Sequence, residues 1–205
     1  MVNEAELKKR FREAQFIKST PTLAGLPPDV GGEIAFAGRS NAGKSSAINA
    51  LTEHPQLARV SKTPGRTQHL VFFDVSRERR LVDLPGYGYA KVPEAMRLEW
   101  RGVIDGYLRD RTSLRGLVLM MDIRLPMTPF DVQMLEWTTA RKLETQILLT
   151  KADKLNRGPG LNVLKQVEKA LKERGFTAQI ELFSAPTKQG VQPVRWQLAK
   201  WLDWA

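Results

Sequence analysis

The chain has no cysteine in its 205 residues, so neither a disulfide framework nor a thiolate metal site can organise it. It has no apolar run long enough to span a bilayer, and Met1-Val-Asn-Glu4 does not begin a signal-peptide pattern. No internal repeat, low-complexity tract or known RNA-binding signature appears. These absences leave a soluble cytoplasmic protein, without a membrane partner, as the simplest expectation.

Hydrophobic residues make up 42%, enough for a packed core, and the length suits one domain. The net charge is +10, from 32 basic and 22 acidic residues. The basic residues are spread along the chain: Lys8 to Arg10, Arg77 to Arg80, Arg97, Arg101, Arg109, Arg111, Arg115, and a face between Lys165 and Arg174. Excess positive charge attracts polyanions and speeds their association. RNA is therefore the expected partner, with a merely solvated, high-pI surface as the alternative.

The densest information lies in Gly38-Arg39-Ser40-Asn41-Ala42-Gly43-Lys44-Ser45-Ser46, a loop of the form G-x-x-x-x-G-K-S. It follows the apolar run Glu33 to Ala37 and precedes the helix-like Ala47 to Leu51, the strand–loop–helix context a phosphate-binding loop requires. Its glycines let backbone N–H groups converge on phosphate oxygens, and the following helix presents its positive end to the same anion. Lys44 is placed to reach the β- and γ-phosphates, and the Ser45 hydroxyl to bind Mg²⁺.

Strand-like runs fall at 33–37, 69–75, 80–84, 116–121, 145–150 and 178–183, and helix-like runs at 44–52, 94–109, 129–142, 160–174 and 190–203. Residues 4–16 read as a short amphipathic helix with Leu7, Phe11 and Phe16 inward. Alternating strands and helices imply an α/β doubly wound P-loop fold with helices on both faces. Only four residues, 76–79, separate the second and third strands, so these should form an antiparallel hairpin. The expectation is a six-stranded, mostly parallel sheet with one antiparallel edge strand. Residues 1–30 would pack on the main domain spanning 31–205. The aromatic stripe of Trp196, Trp201 and Trp204 reads as core packing of the last helix.

Three later segments name the nucleotide. Asp83-Leu84-Pro85-Gly86 ends a strand: its carboxylate can hold a Mg²⁺-bound water and the Gly86 N–H can meet a γ-phosphate. Thr150-Lys151-Ala152-Asp153 is similar to the Asn-Lys-x-Asp motif. The Asp153 carboxylate accepts from guanine N1–H and the 2-amino group, a pair that adenine lacks, and the aliphatic stem of Lys151 lies over the base. Phe183-Ser184-Ala185 offers a backbone N–H to the 6-oxo group. Between loop and carboxylate, Lys62 to Gln68 is polar and turn-prone, as a switch should be. Its Thr67, just before the hairpin strand, is preferred over Thr63 as the second magnesium ligand.

The whole constellation resembles the translation-factor-related GTPases, and most closely the bacterial EngB/YihA/YsxC family of ribosome-assembly GTPases. The marks are Gly38 to Ser45, Lys62-Thr-Pro-Gly-Arg-Thr-Gln68, Asp83-Leu-Pro-Gly-Tyr-Gly-Tyr-Ala90, Thr150 to Asp153 and Phe183 to Ala185. Thr150 stands where asparagine is usual, but a threonine can still bond the phosphate loop. The resemblance implies GTP and GDP as ligands, Mg²⁺ as cofactor, and a monomer acting on the large ribosomal subunit or its rRNA precursor. It also extends the nucleotide-binding set to Gly65, Arg66, Thr67, Gln68 and His69. Lys44, Thr67 and Gly86 would serve catalysis. Asn41 occupies a position that potassium-stimulated relatives fill with asparagine; holding K⁺ and bracing the switch are even alternatives. Tyr87 replaces the water-orienting glutamine of many GTPases, so intrinsic hydrolysis should be slow. Residues 87–100, with Tyr89, Lys91 and Arg97, are where a second switch would touch the partner. A nucleotide phosphotransferase and a GTP-dependent RNA-binding module remain the competing readings.

Overall fold

The computed structural model describes residues 2–58, 69–86 and 94–204. Expectations for Thr63, Gly65, Arg66, Thr67 and Gln68, and for Tyr87, Tyr89 and Lys91, lie outside the described residues.

Strand β2 (Gly32–Gly38) is buried at all seven positions. A strand covered on both faces reads as a near-continuous apolar run, here Ile34 to Ala37, and this places it at the sheet's centre. Around it the order is β1-β3-β4-β2-β5-β6-β7. Here β1 is Gln15–Thr20, β3 Leu70–Ser76, β4 Arg79–Asp83, β5 Leu114–Asp122, β6 Glu144–Thr150 and β7 Gln179–Leu182. Strands β4, β2, β5, β6 and β7 pair in parallel, and β3 is antiparallel to both of its neighbours. The hairpin and the single antiparallel strand are as expected.

Two details differ. The sheet has seven strands, not six, and β3 is not its edge. The helix expected over 4–16 stops as α1 (Glu4–Arg12), where the Glu13 and Ala14 N–H groups bond back to the last helical carbonyls. The chain then enters β1, whose Phe16 is 58% exposed and meets Phe73 edge-on at 6.4 Å. An edge strand with a solvent-facing side carries no apolar periodicity to announce it.

The helices α2 (Lys44–Thr52), α3 (Glu94–Asp110), α4 (Pro129–Ala140), α5 (Arg157–Glu173) and α6 (Val191–Trp201) complete the fold. Helix α5 begins three residues before its expected start. Gly158 and Pro159 fall in its first turn, where a missing N–H costs nothing because no helical carbonyl precedes it. On one face α1, α2 and α6 bury Leu7, Phe11, Ile48, Leu51 and Leu198; on the other α3, α4 and α5 bury Tyr107, Leu135 and Leu171. Trp201 is buried, and Trp196 and Trp204 pack against the same cluster, so the aromatic stripe is core. Trp204 stacks edge-to-face on Phe11 at 5.3 Å.

At the N-terminal end of β2, Glu33 is fully buried yet fully paired. Arg111 donates to both of its oxygens at 2.6 and 2.9 Å, Arg80 at 3.1 Å and the Tyr107 hydroxyl at 2.9 Å. Glu53 ties the outer helices together. It takes a left-handed cap at the end of α2 (φ 53°) and accepts from Lys8 at 3.0 Å, Arg195 at 3.1 Å and Arg12.

Burial alone would raise the Glu53 carboxyl, but the bonds from Lys8, Arg12 and Arg195 overcome it and hold the pKa at about 2, below its ordinary 4.5. A depressed acid contributes stability above its unfolded pKa and loses it as pH falls toward the folded one. Glu53→Gln should therefore cost about 2 kcal/mol at pH 7, with the deficit fading between pH 4.5 and 2. Urea titrations across that window check this; a deficit independent of pH would contradict it.

Candidate nucleotide site

Strand order reverses direction at β2, with β4 on one side and β5 on the other, and the loop leaving β2 opens at this switch point. The loop is tight. Ala42 N–H bonds the Arg39 carbonyl at 2.9 Å, and Asn41 and Gly43 take positive φ of 62° and 92°. Gly38 must be glycine, since a Cβ there would come 2.9 Å from the Met120 carbonyl. No side chain caps α2, and its first helical bond runs from Ala47 N–H to the Gly43 carbonyl. The N–H groups before it, through Ser45 and Ser46, are therefore left for an anion.

Beside this loop sits Asp83, 5% exposed, at the end of β4. Among the described residues its Oδ1 has no hydrogen-bond partner, and Lys44 Nζ stops 3.9 Å away. Burial pushes the Asp83 carboxyl above its ordinary value, and the Lys44 charge opposes this only in part. The Gly86 main chain lies against the loop, because a Cβ there would come 3.2 Å from Lys44 Nζ and 3.3 Å from Ser40 Cα. The Ser45 hydroxyl and the orphaned Asp83 oxygen are hard oxygen donors of the kind Mg²⁺ takes. Among the described residues no group of three or more His, Cys, Asp or Glu could hold a metal alone. A magnesium ion here would draw its other ligands from phosphate, from water and from residues outside the described ones, where the expected Thr67 lies.

Thr150, at the end of β6, donates its hydroxyl to the Ala42 carbonyl at 2.7 Å, with the Met121 carbonyl at 3.1 Å. The base-reading segment and the phosphate loop are thus joined directly. Lys151 turns the chain at φ 60°, and Ala152 N–H bonds the Phe183 carbonyl at 3.1 Å. This sets Asp153 against Ser184, whose hydroxyl donates to its Oδ1 at 2.8 Å; Lys154 lies 3.2 Å from Oδ2. The Ser184 bond, more than any other contact, keeps the Asp153 carboxyl below its ordinary value. The Phe183 and Ser184 N–H groups are used by the Leu149 and Gln189 carbonyls. Ala185 carries the remaining N–H of the three. Leu84 and Pro85 lead from Asp83 to Gly86, Leu84 N–H bonding the Phe36 carbonyl at 3.0 Å.

Asn49 carried no motif to reveal it, while His69 and the cleft involve residues already expected at the site. Asn49 donates to the Pro55 and Ala58 carbonyls, both at 2.9 Å, and accepts from Ala58 N–H at 2.8 Å, so it clasps the chain just before residue 59. His69, just after residue 68, has its Nδ1 2.9 Å from the Ser19 hydroxyl of β1. A cleft of about 410 Å³ lies beside the loop, lined by Arg39, Asn41, Asp122, Arg124 and Lys151 among others.

A family described as "50S ribosome-binding GTPase" matches residues 33–151. The probable GTP-binding protein EngB of Tolumonas auensis is 53% identical over 191 residues, 93% of this chain and 90% of that protein. That of Nitrosococcus oceani is 52% identical over 192 residues, 94% and 96% respectively. Among solved structures, a probable GTP-binding protein engB aligns with a TM-score of 0.66 at 21% identity, over 84% of this chain and 99% of that one. Era, in complex with MgGDPNP and nucleotides 1506–1542 of 16S ribosomal RNA, aligns at 0.64 and 20% identity, over 83% and 56%. At these identities the two structures speak for the fold. Among the described residues no helix is long and apolar enough to cross a membrane.

The Thr150 bond yields a test. Thr150→Val keeps the shape but frees the Ala42 carbonyl, at a cost of about 1 kcal/mol. Dissociation of a fluorescent GDP analogue should quicken about fivefold, and an unchanged rate would contradict the coupling.

Proposed function

The chain belongs to the EngB family of GTP-binding proteins, P-loop GTPases, and from that premise we propose that it hydrolyses GTP to GDP and phosphate as a switch in assembly of the large ribosomal subunit. The observation that carries the reading is the unpaired Asp83 oxygen, buried beside Lys44 and an uncapped helix end. A polar edge left this incomplete fits a triphosphate and its metal.

In this reading the α2 N–H groups and Lys44 grip the phosphates, and the Gly86 N–H meets the γ-phosphate. Ser45 and Thr67 would bind Mg²⁺ directly and Asp83 through a water. When bound, the ion would neutralise charge on the phosphates. Asp153 accepts from guanine N1–H and the 2-amino group, Lys151 covers the base, and the Ala185 N–H meets the 6-oxo group. These base contacts favour a guanine switch over a phosphotransferase. Water attacks the γ-phosphorus, the bond to the β-phosphate oxygen breaks, and phosphate leaves. Tyr87 has no amide to orient that water, so the protein alone is slow and a ribosomal particle completes the site. Asn41 is the candidate ligand for a stimulating K⁺, to be read from turnover in KCl against NaCl. The ribosomal partner rests on the +10 charge and on the family's description as ribosome-binding.

Turnover of GTP by the purified protein should be slow and rise at least tenfold with large ribosomal subunits or their precursors. Asp83→Asn should abolish that turnover while leaving the nucleotide-free protein folded, because relief of the burial of an Asp83 oxygen without a hydrogen-bond donor offsets the loss of the Lys44 ion pair at 3.9 Å. Rapid single turnover by the isolated wild type, or no response to the particle, would overturn the switch reading in favour of a binding module.

A further inference from the structure

Strands β5 and β6 end side by side, with Asp122 and Thr150 as register partners. Asp122 therefore stands next to the turn that presents Lys151. Lys151 Nζ donates to Asp122 Oδ2 at 2.8 Å. On its other side the same carboxylate is held by Arg124, whose Nε donates to Oδ1 at 2.9 Å, Nη2 to Oδ2 at 2.7 Å and backbone N–H to Oδ1 at 3.0 Å. Four charge-assisted or backbone bonds converge on one carboxylate at the rim of the cleft beside the phosphate loop.

We propose that Asp122, braced by Arg124, is a positioning residue that fixes the stem of Lys151 over the plane of the guanine base. The proposal rests on the reading of Lys151 as the base-covering residue. Lys151 is held at both ends. Its backbone is set by the left-handed turn (φ 60°) and the neighbouring Ala152 N–H bond to Phe183, and its ammonium by Asp122. A lysine side chain is long and rotamer-rich, and left free it must be ordered when ligand binds. Anchoring the tip beforehand removes that cost, which is the general advantage of preorganisation. It also keeps the charge paired, so that the base meets the methylene stem. Asp122 touches no nucleotide in this arrangement; it acts through Lys151 alone.

That restriction gives the test. Asp122→Asn should weaken GDP binding about tenfold, mainly through faster dissociation, and leave the affinity for inorganic pyrophosphate unchanged, because pyrophosphate occupies the phosphate loop alone. Arg124→Gln should weaken GDP binding two- to threefold. In a Lys151→Met background, Asp122→Asn should have no further effect. Calorimetry with GDP and pyrophosphate, and stopped-flow dissociation of a fluorescent GDP analogue, read all three. Unchanged GDP affinity in Asp122→Asn, an equal loss for pyrophosphate, or the same loss with and without Lys151 would each overturn the proposal. If Lys151→Met itself binds GDP like the wild type, the base-site reading fails first and the proposal falls with it.

Discussion

Two carboxylates are buried in this sheet, one at each end of its central strands, and they are treated in opposite ways. At the N-terminal end Glu33 is surrounded by Arg80, Arg111 and Tyr107, which satisfy both of its oxygens from within the protein. At the C-terminal end Asp83 has an oxygen with no donor and a lysine held at 3.9 Å. A buried carboxylate oxygen without a hydrogen-bond donor is expensive, so a fold keeps one where something from outside completes it. Helices cover both faces of the sheet, so its polar turns collect at its ends. The parallel strands bring Gly38, Asp83, Asp122, Thr150 and Leu182 to the same end.

The rest of the architecture holds that incomplete end in shape. Thr150 joins the base side to the phosphate side through the Ala42 carbonyl, and Asp122 does the same for the lysine next to it. Asn49 and His69 fasten the chain on either side of residues 59–68, one to its own loop and the other to β1. Glu53 locks the far end of α2 to α1 and α6, so the helix that offers its N-terminus to phosphate is fixed at its C-terminus.

Much of this was legible in the sequence, for physical reasons. A strand buried on both faces reads as a near-continuous apolar run, which made β2, β5 and β6 readable. The phosphate loop has fixed spacing because backbone N–H groups and one lysine must converge on one anion. Thr150 was read as a partner of the phosphate loop, and the Ala42 bond has that form. The edge strand β1 was not legible, because Gln15 to Ser19 face solvent and carry no alternation. The start of α5 was misplaced because Gly158 and Pro159 look like breakers until they are seen in the first turn. The Asp122–Lys151 pair and the Glu33 cluster were invisible because their members lie 29 to 78 residues apart and only the strand register brings them together.

The central claim is that the unpaired end of the sheet is completed by a guanine nucleotide together with magnesium. Thermal melting of the wild-type chain with a non-hydrolysable GTP analogue, in Mg²⁺ and in EDTA, against the matching ATP analogue, tests this directly. Ligand that binds only the folded state raises the midpoint by an amount that grows with the logarithm of its concentration over its dissociation constant. The account predicts a clear rise with the GTP analogue, a larger one when Mg²⁺ is present, and none with the ATP analogue. Equal stabilisation by the two analogues, or no contribution from Mg²⁺, would contradict it.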